Sequence, residues 1–319
     1  MDIFRLQEDR GTNLVKDVLY AANEARFTST NYSEPLTQYI VGWQDPANLA
    51  ELLEFFAPEV PNTPRRFEFK KGTNAEYFLT ETDDVRAIGS AFKRVEQKGT
   101  TVTDRTYNKG LTTRVDHDDV LGDDWRERKV AWLKARLLRN EIIRVVALLG
   151  TAATNLAKVW DSTKDPDADM RDSLRLATSS SGIRPNRIAI GEGAWDLRTD
   201  AYHAGAHAGV YVQGDKTPEE VGRKLGVESC RVVSARYQSS ASAKSKVLGD
   251  TVLEFLAEAV LDKDDPSNIK RFISPTEQGQ MWGVYIEEHP KFTDISVEHY
   301  SNTVITSTLG IRKLTISAT

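Results

Sequence analysis

Two groups of residues have the types and spacing that could bind a metal. One is the acidic run DHDD at residues 116–119, and the other is the pair His203 and His207. Carboxylates suit Mg²⁺ or Ca²⁺, and two histidines four residues apart on a helix suit zinc. The acidic run matches no EF-hand spacing, and the histidine pair lacks the glutamate of a zinc protease. We interpret the run as a solvated turn before the positive end of a helix, and the histidines as loop residues.

Neither a nucleophile nor a nucleotide-binding loop can be assigned from the remaining residues. Cys230 is the single cysteine, which excludes an intrachain disulfide; with no histidine partner it is predicted to be a small buried hydrophobic residue. Gly191 and Gly193 follow a predicted strand, but the third glycine of a dinucleotide loop is missing and Trp195 would block a pyrophosphate. The chain has neither a GK[ST] phosphate loop nor a GxSxG elbow. The sequence therefore predicts no catalytic, cofactor or metal site.

The composition indicates a globular chain. It has 319 residues, of which 39% are hydrophobic and 28% charged, and its formal net charge is −5. This is enough for one large or two ordinary domains, and it gives no overall basic character for neutralising phosphates. No run of eighteen apolar residues and no secretory leader is present. We expect a soluble chain made inside the cell, without a membrane partner.

The most strongly patterned stretch is residues 122–160, where apolar residues alternate spacings of four and three. These positions are Ala131, Ala135, Leu138, Ile142, Val145, Leu149, Ala152, Leu156 and Val159. The pattern predicts one long helix, the spine, from Asp124 to Trp160, roughly 55 Å long. Gly150 interrupts it at a cost of about 1 kcal/mol relative to alanine, so the helix can bend or end there.

The polar positions of the spine are mostly basic. The series comprises Arg126, Arg128, Lys129, Lys134, Arg136, Arg139 and Arg144. A solvated or intersubunit face is the interpretation that such a run favours.

The chain before the spine is predicted to be an arm followed by a ribbon. Residues 12–26 have helical spacing, and Asp45 and Pro46 are predicted to begin a second helix with Leu49, Leu52, Leu53 and Phe56 on one face. From Arg65 to Val115 the pattern changes to period two, which predicts a long, polar, two-stranded ribbon with a turn at residues 72–74. Such a ribbon is marginal alone in water. We therefore expect the spine or another subunit to lie beneath it.

The chain after the spine mixes helices and strands. A capping box of Thr217 and Glu220 begins one helix, which Gly226 ends. A turn at residues 191–193 is predicted to precede a short helix that starts at Ala194. Strands are predicted within residues 187–190, 227–237, 247–255, 281–287, 295–300 and 304–316. A turn-rich hinge is predicted at residues 161–169, a polar link at 238–246 and a turn at 262–268. The class is α+β.

This order of parts resembles the major capsid proteins of tailed bacteriophages, which share the Johnson fold. The resemblance depends on the ribbon from Arg65 to Val115, the spine from Asp124 to Trp160, and the segment SSGIRPNRIAIGEGAWDLR from Ser180 to Arg198. In that segment a Pro-Asn pair precedes a short strand and a Trp-Leu helix, as is usual in the family.

The resemblance implies a division of the chain into four parts. These are an N-terminal arm at residues 1–59, an E-loop ribbon at 60–118, a P domain with the spine at 119–200 and 281–319, and an A domain at 201–280. The arm and the E-loop would reach neighbouring subunits, and the A domain would surround the five-fold and six-fold axes.

The function that the resemblance implies is structural and not enzymatic. The chain would assemble as hexamers and pentamers into an icosahedral head that encloses double-stranded DNA without sequence-specific binding. It would be found in the virion after assembly in the host cytoplasm. A separate scaffolding protein or none, a portal and a cement protein are the further partners considered. Lys93 or Lys98 could take the place of a crosslinking lysine, but no supporting glutamate can be assigned, so no crosslink is predicted.

Three alternatives remain open on the sequence. The first is an encapsulin, a shell for cargo enzymes with the same fold. The second is a metal-dependent enzyme that uses Asp116, Asp118 and His203. The third is a tail-tube subunit, which would be mainly β and could not contain the spine.

Overall fold

A computed structural model describes most of the chain. The described residues are 28–44, 47–71, 84–86, 88, 91–92, 100–119, 122–205, 210–238, 240, 242–258 and 267–318. Several predictions lie outside them: the helix within residues 12–26, the cap at Asp45 and Pro46, the turn at 72–74, Lys93 and Lys98, His207, and most of the turn at 262–268.

Helices and strands alternate irregularly along the described chain. The helices are α1 (Glu34–Gly42), α2 (Leu49–Phe56), α3 (Trp125–Ala152), α4 (Pro166–Ser181), α5 (Glu192–Ala204), α6 (Val210–Gly214) and α7 (Pro218–Leu225). The first seven strands are β1 (Glu59–Val60), β2 (Arg66–Lys71), β3 (Thr100–Arg105), β4 (Tyr107–Asp116), β5 (Thr154–Val159), β6 (Arg187–Gly191) and β7 (Ser229–Val233). The others are β8 (Arg236–Gln238), β9 (Lys244–Lys246), β10 (Thr251–Phe255), β11 (Ile269–Ser274), β12 (Gly283–Glu288), β13 (Phe292–Ile305) and β14 (Arg312–Ser317).

Contacts divide the chain into two compact units. Unit 1 takes its described residues from Met1–Pro46, Asn108–Leu137 and Pro275–Tyr300. Unit 2 takes them from Ala47–Tyr107, Leu138–Ser274 and Ser301–Thr319. The division into arm, ribbon, P domain and A domain stays a prediction, because those names refer to positions in an assembled shell.

Unit 1 is a small sheet covered by helices. Strands β12 and β13 pair antiparallel, with Gly283 opposite Glu298, and β4 also pairs with β13. Helix α1, which the sequence pattern did not predict, and the first half of α3 supply the rest of the core. The buried core residues are Leu36, Ile40, Val130, Leu133, Leu137, Val284, Ile295 and Val297.

Lys134 is buried in unit 1, so its assignment to a solvated or intersubunit face is wrong. Its ammonium group donates hydrogen bonds to the backbone oxygens of Ile40 (2.5 Å) and Trp43 (3.2 Å). It also lies 5.6 Å and 5.7 Å from the ring centroids of Trp43 and Trp282. Because carbonyl oxygens and π-faces replace water around the ammonium group, this buried charge is compensated.

The long helix is shorter than predicted. Helix α3 has 28 residues, about 42 Å at 1.5 Å per residue, and ends two residues after Gly150. The predicted continuation to Trp160 is wrong, because Thr154–Val159 forms β5 and pairs parallel with β14. The backbone N–H and C=O groups of residues 154–159 form hydrogen bonds with β14 instead of continuing the helix.

The predicted apolar stripe is correct in only half of α3. Leu138, Ile142, Val145 and Leu149, which belong to unit 2, are buried as expected. In the first half, Ala131 and Ala135 are half-buried, and the buried positions are Val130, Leu133 and Leu137. Larger side chains one and two positions away from the alanines bury more apolar area, so they define the face.

Unit 2 is built on a five-stranded mixed sheet in the order β5-β14-β10-β6-β7. Its core includes Trp160, Met170, Leu174, Ile188, Ile190, Ala194, Ala201, Val221, Leu225, Cys230, Val252, Leu314 and Ile316. Helix α4 begins inside the predicted hinge at 161–169, with Pro166 in its first turn and the Asp165 side chain accepting the backbone N–H of Ala168. The hinge prediction is therefore wrong over Pro166–Asp169.

Local signals predicted one helix correctly and misplaced another. In α7 the capping box of Thr217 and Glu220 is present and Gly226 ends the helix with φ 69°. The predicted turn at residues 191–193 is wrong, because α5 starts at Glu192. A Cβ at Gly191 would collide with the backbone oxygen of Gly249, so close packing requires glycine there.

The predicted ribbon is present, but its second strand is divided into two. Strand β2 pairs antiparallel with β3, with Arg66 opposite Arg105 and Lys71 opposite Thr100. The predicted single return over residues 100–115 is interrupted at Thr106, and β4 then pairs with β13 in unit 1. The ends of the predicted polar link at 238–246 are also strands, since β8 pairs with β9. Strand β11, which was not predicted, pairs parallel with β1.

Candidate assembly surfaces and buried ion pairs

The acidic run at 116–119 is an exposed turn, as interpreted from the sequence. Its hydrogen bonds are local: the Asp116 side chain accepts the backbone N–H of Asp118 at 3.0 Å. The ring of His117 shares a 2.8 Å hydrogen bond with the Thr293 hydroxyl. These contacts hold the turn against the start of β13.

His203 does not lie in a loop, so that prediction is wrong. It occupies the last turn of α5, and its ring shares a 3.0 Å hydrogen bond with Asp215. Among the described residues, one group has potential metal-ligand atoms within 4.8 Å of one another, and it consists of Glu287, His289 and Asp294. None of Asp116, Asp118 and His203 belongs to it.

The group of Glu287, His289 and Asp294 is part of an ion-pair network. Both Asp294 oxygens accept hydrogen bonds from the Arg114 guanidinium, at 2.9 Å and 3.0 Å. That guanidinium also covers the ring of Phe292 at 3.8 Å, and His289 lies 3.2 Å from Glu287. A cation at this place would compete with Arg114 for the buried carboxylate of Asp294. The geometry therefore favours a structural link between β4 and β13.

Unit 2 contains a buried triad that the sequence pattern did not reveal. Arg198 and Asp167 are both fully buried and form a two-point pair at 2.7 Å and 3.2 Å. Lys224 approaches the second oxygen of Asp167 at 2.8 Å. Burial alone would raise the pKa of Asp167, but the hydrogen bonds and charges of Arg198 and Lys224 outweigh it and hold that pKa below its ordinary value. The triad joins α4, α5 and α7.

A second buried carboxyl in unit 2 behaves in the opposite way. Glu254 of β10 is fully buried, and its side chain accepts a 2.6 Å hydrogen bond from the Ser173 hydroxyl. Burial raises its pKa to about 8, only partly opposed by Ser173, Arg312 and Arg184. Its other oxygen has no hydrogen-bond partner among the described residues. Glu254 is therefore largely protonated at neutral pH.

Cys230 is buried in the unit 2 core, as predicted. Burial raises the pKa of its thiol to about 12, so little thiolate is present near neutral pH. This supports a packing role over a nucleophilic one.

The base of the ribbon is anchored in its own chain. Phe67 and Phe69 on β2 point inward and stack on Phe272 of β11, with ring centroids 4.2 Å and 5.8 Å away. Thr106 shares a 2.7 Å hydrogen bond with Ser274 at the same end. Packing on β11 therefore fixes the base of the ribbon.

Further along the ribbon the apolar side chains are uncovered. Val85 is 86% exposed, Phe92 is 73% exposed and Ile88 is fully exposed. The Arg86 guanidinium lies 5.1 Å from the Phe92 ring, but it does not shield the ring from solvent. Exposed apolar side chains so close in sequence are typical of a surface that binds another protein.

No protein-family model and no curated protein matches the sequence. Solved structures do match. A phage-related protein from Bordetella bronchiseptica RB50 has a TM-score of 0.65 at 16% identity, covering 89% of this chain and 96% of that one. A virus-like particle from Pyrococcus furiosus has a TM-score of 0.51 at 12% identity, with coverages of 88% and 98%. The capsid of the cyanophage P-SCSP1u has a TM-score of 0.50 at 10% identity, with coverages of 83% and 88%.

These likenesses define the fold. The chain has the α+β Johnson fold of tailed-bacteriophage major capsid proteins, as the resemblance predicted. The three matches cover 83–89% of this chain and 88–98% of the matched chains, so the fold includes residues of both compact units. Among the described residues, no helix has the length and apolar character needed to cross a membrane.

Proposed function

We propose that the chain is a shell-forming structural protein, the major capsid protein of a tailed bacteriophage. The fold supports this proposal, and the exposed apolar residues Val85, Ile88 and Phe92 of the ribbon are the single observation that carries it. Side chains of this size gain about 1.5–3 kcal/mol each when they are fully buried. In an assembled shell, the surface of a neighbouring subunit would bury these side chains.

The assembled form that we propose is a closed shell of hexamers and pentamers. The arm (1–59) and ribbon (60–118) would overlie neighbouring subunits, the P domain (119–200 and 281–319) would form the body of the wall, and the A domain (201–280) would surround the symmetry axes. Double-stranded DNA would fill the interior, and the net charge of −5 would limit adhesion of DNA to the wall.

The proposed partners are a portal, a cement protein and a separate scaffolding protein, with assembly in the host cytoplasm and a final place in the virion. The role is structural, and no catalytic residue is proposed.

Expression of the full chain alone and with candidate scaffolding proteins tests the proposal. We expect closed, megadalton particles by negative-stain microscopy and sedimentation, with pentamers and hexamers visible after averaging. A chain that stays monomeric at high concentration, with every scaffold tried, would contradict a shell-forming role.

A second candidate is a particle that encloses cargo other than a phage genome, such as an encapsulin-type compartment. The likeness to the Pyrococcus furiosus virus-like particle is the observation that favours it. Particles from the native source separate the two: nuclease-protected double-stranded DNA supports the phage head, whereas a co-purifying enzyme without DNA supports the compartment.

A further inference from the structure

The first half of α3 has an aromatic and basic face that the shell fold does not explain. Trp125, Arg128, Lys129 and Trp132 occupy positions i, i+3, i+4 and i+7, which lie on one side of a helix. Together they line a surface recess of about 340 Å³ in unit 1. Arg136 follows one turn after Trp132 and places its guanidinium 4.7 Å from the indole ring.

Within this face, Trp125 is partly buried and packs against the core of unit 1, whereas Trp132 is not part of that core. Core packing uses Val130, Leu133 and Leu137, all buried on another side of the helix. Trp132, in contrast, is 46% exposed. A half-exposed indole beside cations can contact a ligand through both its ring and its charged neighbours.

The cations on this face are available to a ligand. Among the described residues, Lys129 and Arg136 form no ion pair within 4.0 Å. Arg128 lies 3.2 Å from Asp124, but both side chains are more than half exposed. Such exposed pairs contribute about 0–1 kcal/mol, so an incoming anion can exchange with Asp124. The local excess of positive charge contrasts with the net charge of −5 of the whole chain.

We propose that this face binds a single-stranded nucleic acid. Arg128, Lys129 and Arg136 would contact phosphates, and an unpaired base would stack on Trp132 from the side of the ring opposite Arg136. Cations that follow the backbone, together with an aromatic platform for the bases, are the two features of non-specific single-strand binding. The inference goes beyond the proposed function, which requires no nucleic-acid contact from the subunit.

An acidic peptide is the other occupant that the charge would attract. A peptide carboxylate can pair with Lys129 or Arg136, but it adds no flat group to stack on the side of the Trp132 ring opposite Arg136. Every nucleobase has a π-face, and stacking on an aromatic side chain contributes about 1–3 kcal/mol per base. The combination of indole and cations therefore favours nucleic acid.

Fluorescence anisotropy of the purified full chain with a labelled oligothymidylate tests the proposal. The oligonucleotide should have about 20 nucleotides, more than the roughly 4–16 that one single-strand site occupies. We expect binding that weakens as salt rises, because phosphate contacts release counterions. Lys129→Ala with Arg136→Ala should weaken binding at least about tenfold and reduce the salt dependence. Trp132→Ala should weaken it roughly 5- to 150-fold, in proportion to the stacking energy.

A matched control keeps the test specific to this face. Arg171 and Arg175 of α4 are also exposed arginines, and Arg175 pairs with Asp172 at 3.2 Å. Replacing both with alanine removes the same charge from a surface without an indole and should change affinity by less than about twofold. All variants must first match the wild-type chain in circular dichroism and sedimentation.

Three outcomes would overturn the inference. One is oligothymidylate binding that the Lys129 and Arg136 double variant does not weaken more than the α4 control. Another is no effect of Trp132→Ala, with duplex DNA bound as tightly as the single strand, since stacking would then have no part. The third is displacement of the oligonucleotide by polyglutamate at equal charge concentration, which would assign the face to an acidic peptide.

Discussion

The two ends of the ribbon differ in where their aromatic residues are buried. At the base, Phe67 and Phe69 are buried against Phe272 of the same chain. Further along, Phe92 and its neighbours Val85 and Ile88 are open to solvent. Apolar side chains are thus buried within the chain at one end of the ribbon and exposed to solvent at the other.

This difference separates folding from assembly. The base belongs to unit 2, a body that has its own buried clusters and its own ion pairs, so we expect it to fold without a neighbouring copy. We expect the exposed end to contribute little to the stability of that body, because its apolar side chains are in solvent. We infer that its apolar residues become buried when copies of the chain meet.

The largest expected effect is on assembly. Residues 72–99 would be replaced by Asn-Gly, which suits a two-residue turn between the paired ends Lys71 and Thr100. Because the Phe67, Phe69 and Phe272 stack is kept, we expect an unchanged melting temperature and a complete loss of shells. Circular dichroism measures the melting temperature, and sedimentation and negative-stain microscopy measure the loss of shells. Normal shells from this variant would show that the ribbon has no part in assembly.

Alanine substitutions at the two ends test the same comparison through stability. Phe272→Ala should lower the free energy of unfolding by about 3–5 kcal/mol, because it empties the centre of a buried ring stack. Phe92→Ala should change it by less than about 0.5 kcal/mol, since the ring is 73% exposed, and yet reduce shell yield. Denaturant titration measures both. Equal destabilisation by the two substitutions would contradict the claim that Phe272 is buried within the chain while Phe92 is exposed.

Arg198→Ala tests whether the body is held by its own ion pairs. Removing the guanidinium leaves Asp167 buried with only Lys224, so we expect a loss of about 3–5 kcal/mol. Arg175→Ala breaks an exposed pair with Asp172 and should cost about 0–1 kcal/mol. Thermal unfolding of both variants compares the two losses of stability. A loss at Arg198→Ala as small as that at Arg175→Ala would show that the triad does not stabilise unit 2.

Glu254→Gln has the smallest expected effect, and its sign depends on pH. Burial raises the pKa of Glu254 to about 8, so the folded state holds a proton that the unfolded chain releases near pH 4.5. The stability from this proton is complete below about pH 4.5 and is lost as pH rises through about 8. At about pH 9 the glutamine variant should therefore be more stable than wild type by roughly 1–3 kcal/mol.

Denaturant titration of wild type and Glu254→Gln at several pH values measures this difference in unfolding free energy. Parallel stability curves for wild type and Glu254→Gln between about pH 5 and 9 would contradict the assignment.

Elements with local signals could be predicted from the sequence. Helix α7 has its capping box, its first-turn proline and its terminal glycine within its own residues, and all three work as expected. The β2–β3 ribbon was visible because period-two alternation is a local pattern. Helix α4 was missed although Asp165-Pro166 and Gly182 mark its ends. Because its last turn is rich in serine, the apolar face formed by Met170, Leu174 and Ala177 is hard to recognise in the sequence.

Features that depend on distant pairing could not be predicted. Leu156 and Val159 fit both a helix face and a strand, and only the parallel pairing of β5 with β14 decides between them. The triad of Asp167, Arg198 and Lys224 unites three helices that are separate in the sequence. For the same reason, the sequence could indicate a two-stranded ribbon but could not show that its base packs on Phe272.

Hydroxyl-radical footprinting of the chain before and after assembly tests the central claim most directly. We predict that Val85, Ile88 and Phe92 are strongly modified in the dissociated chain and protected in shells, while the buried Phe67 and Phe272 are protected in both. Protection of all five residues in the single chain, or equal modification of the three ribbon residues in both states, would contradict the claim that neighbouring copies bury the ribbon.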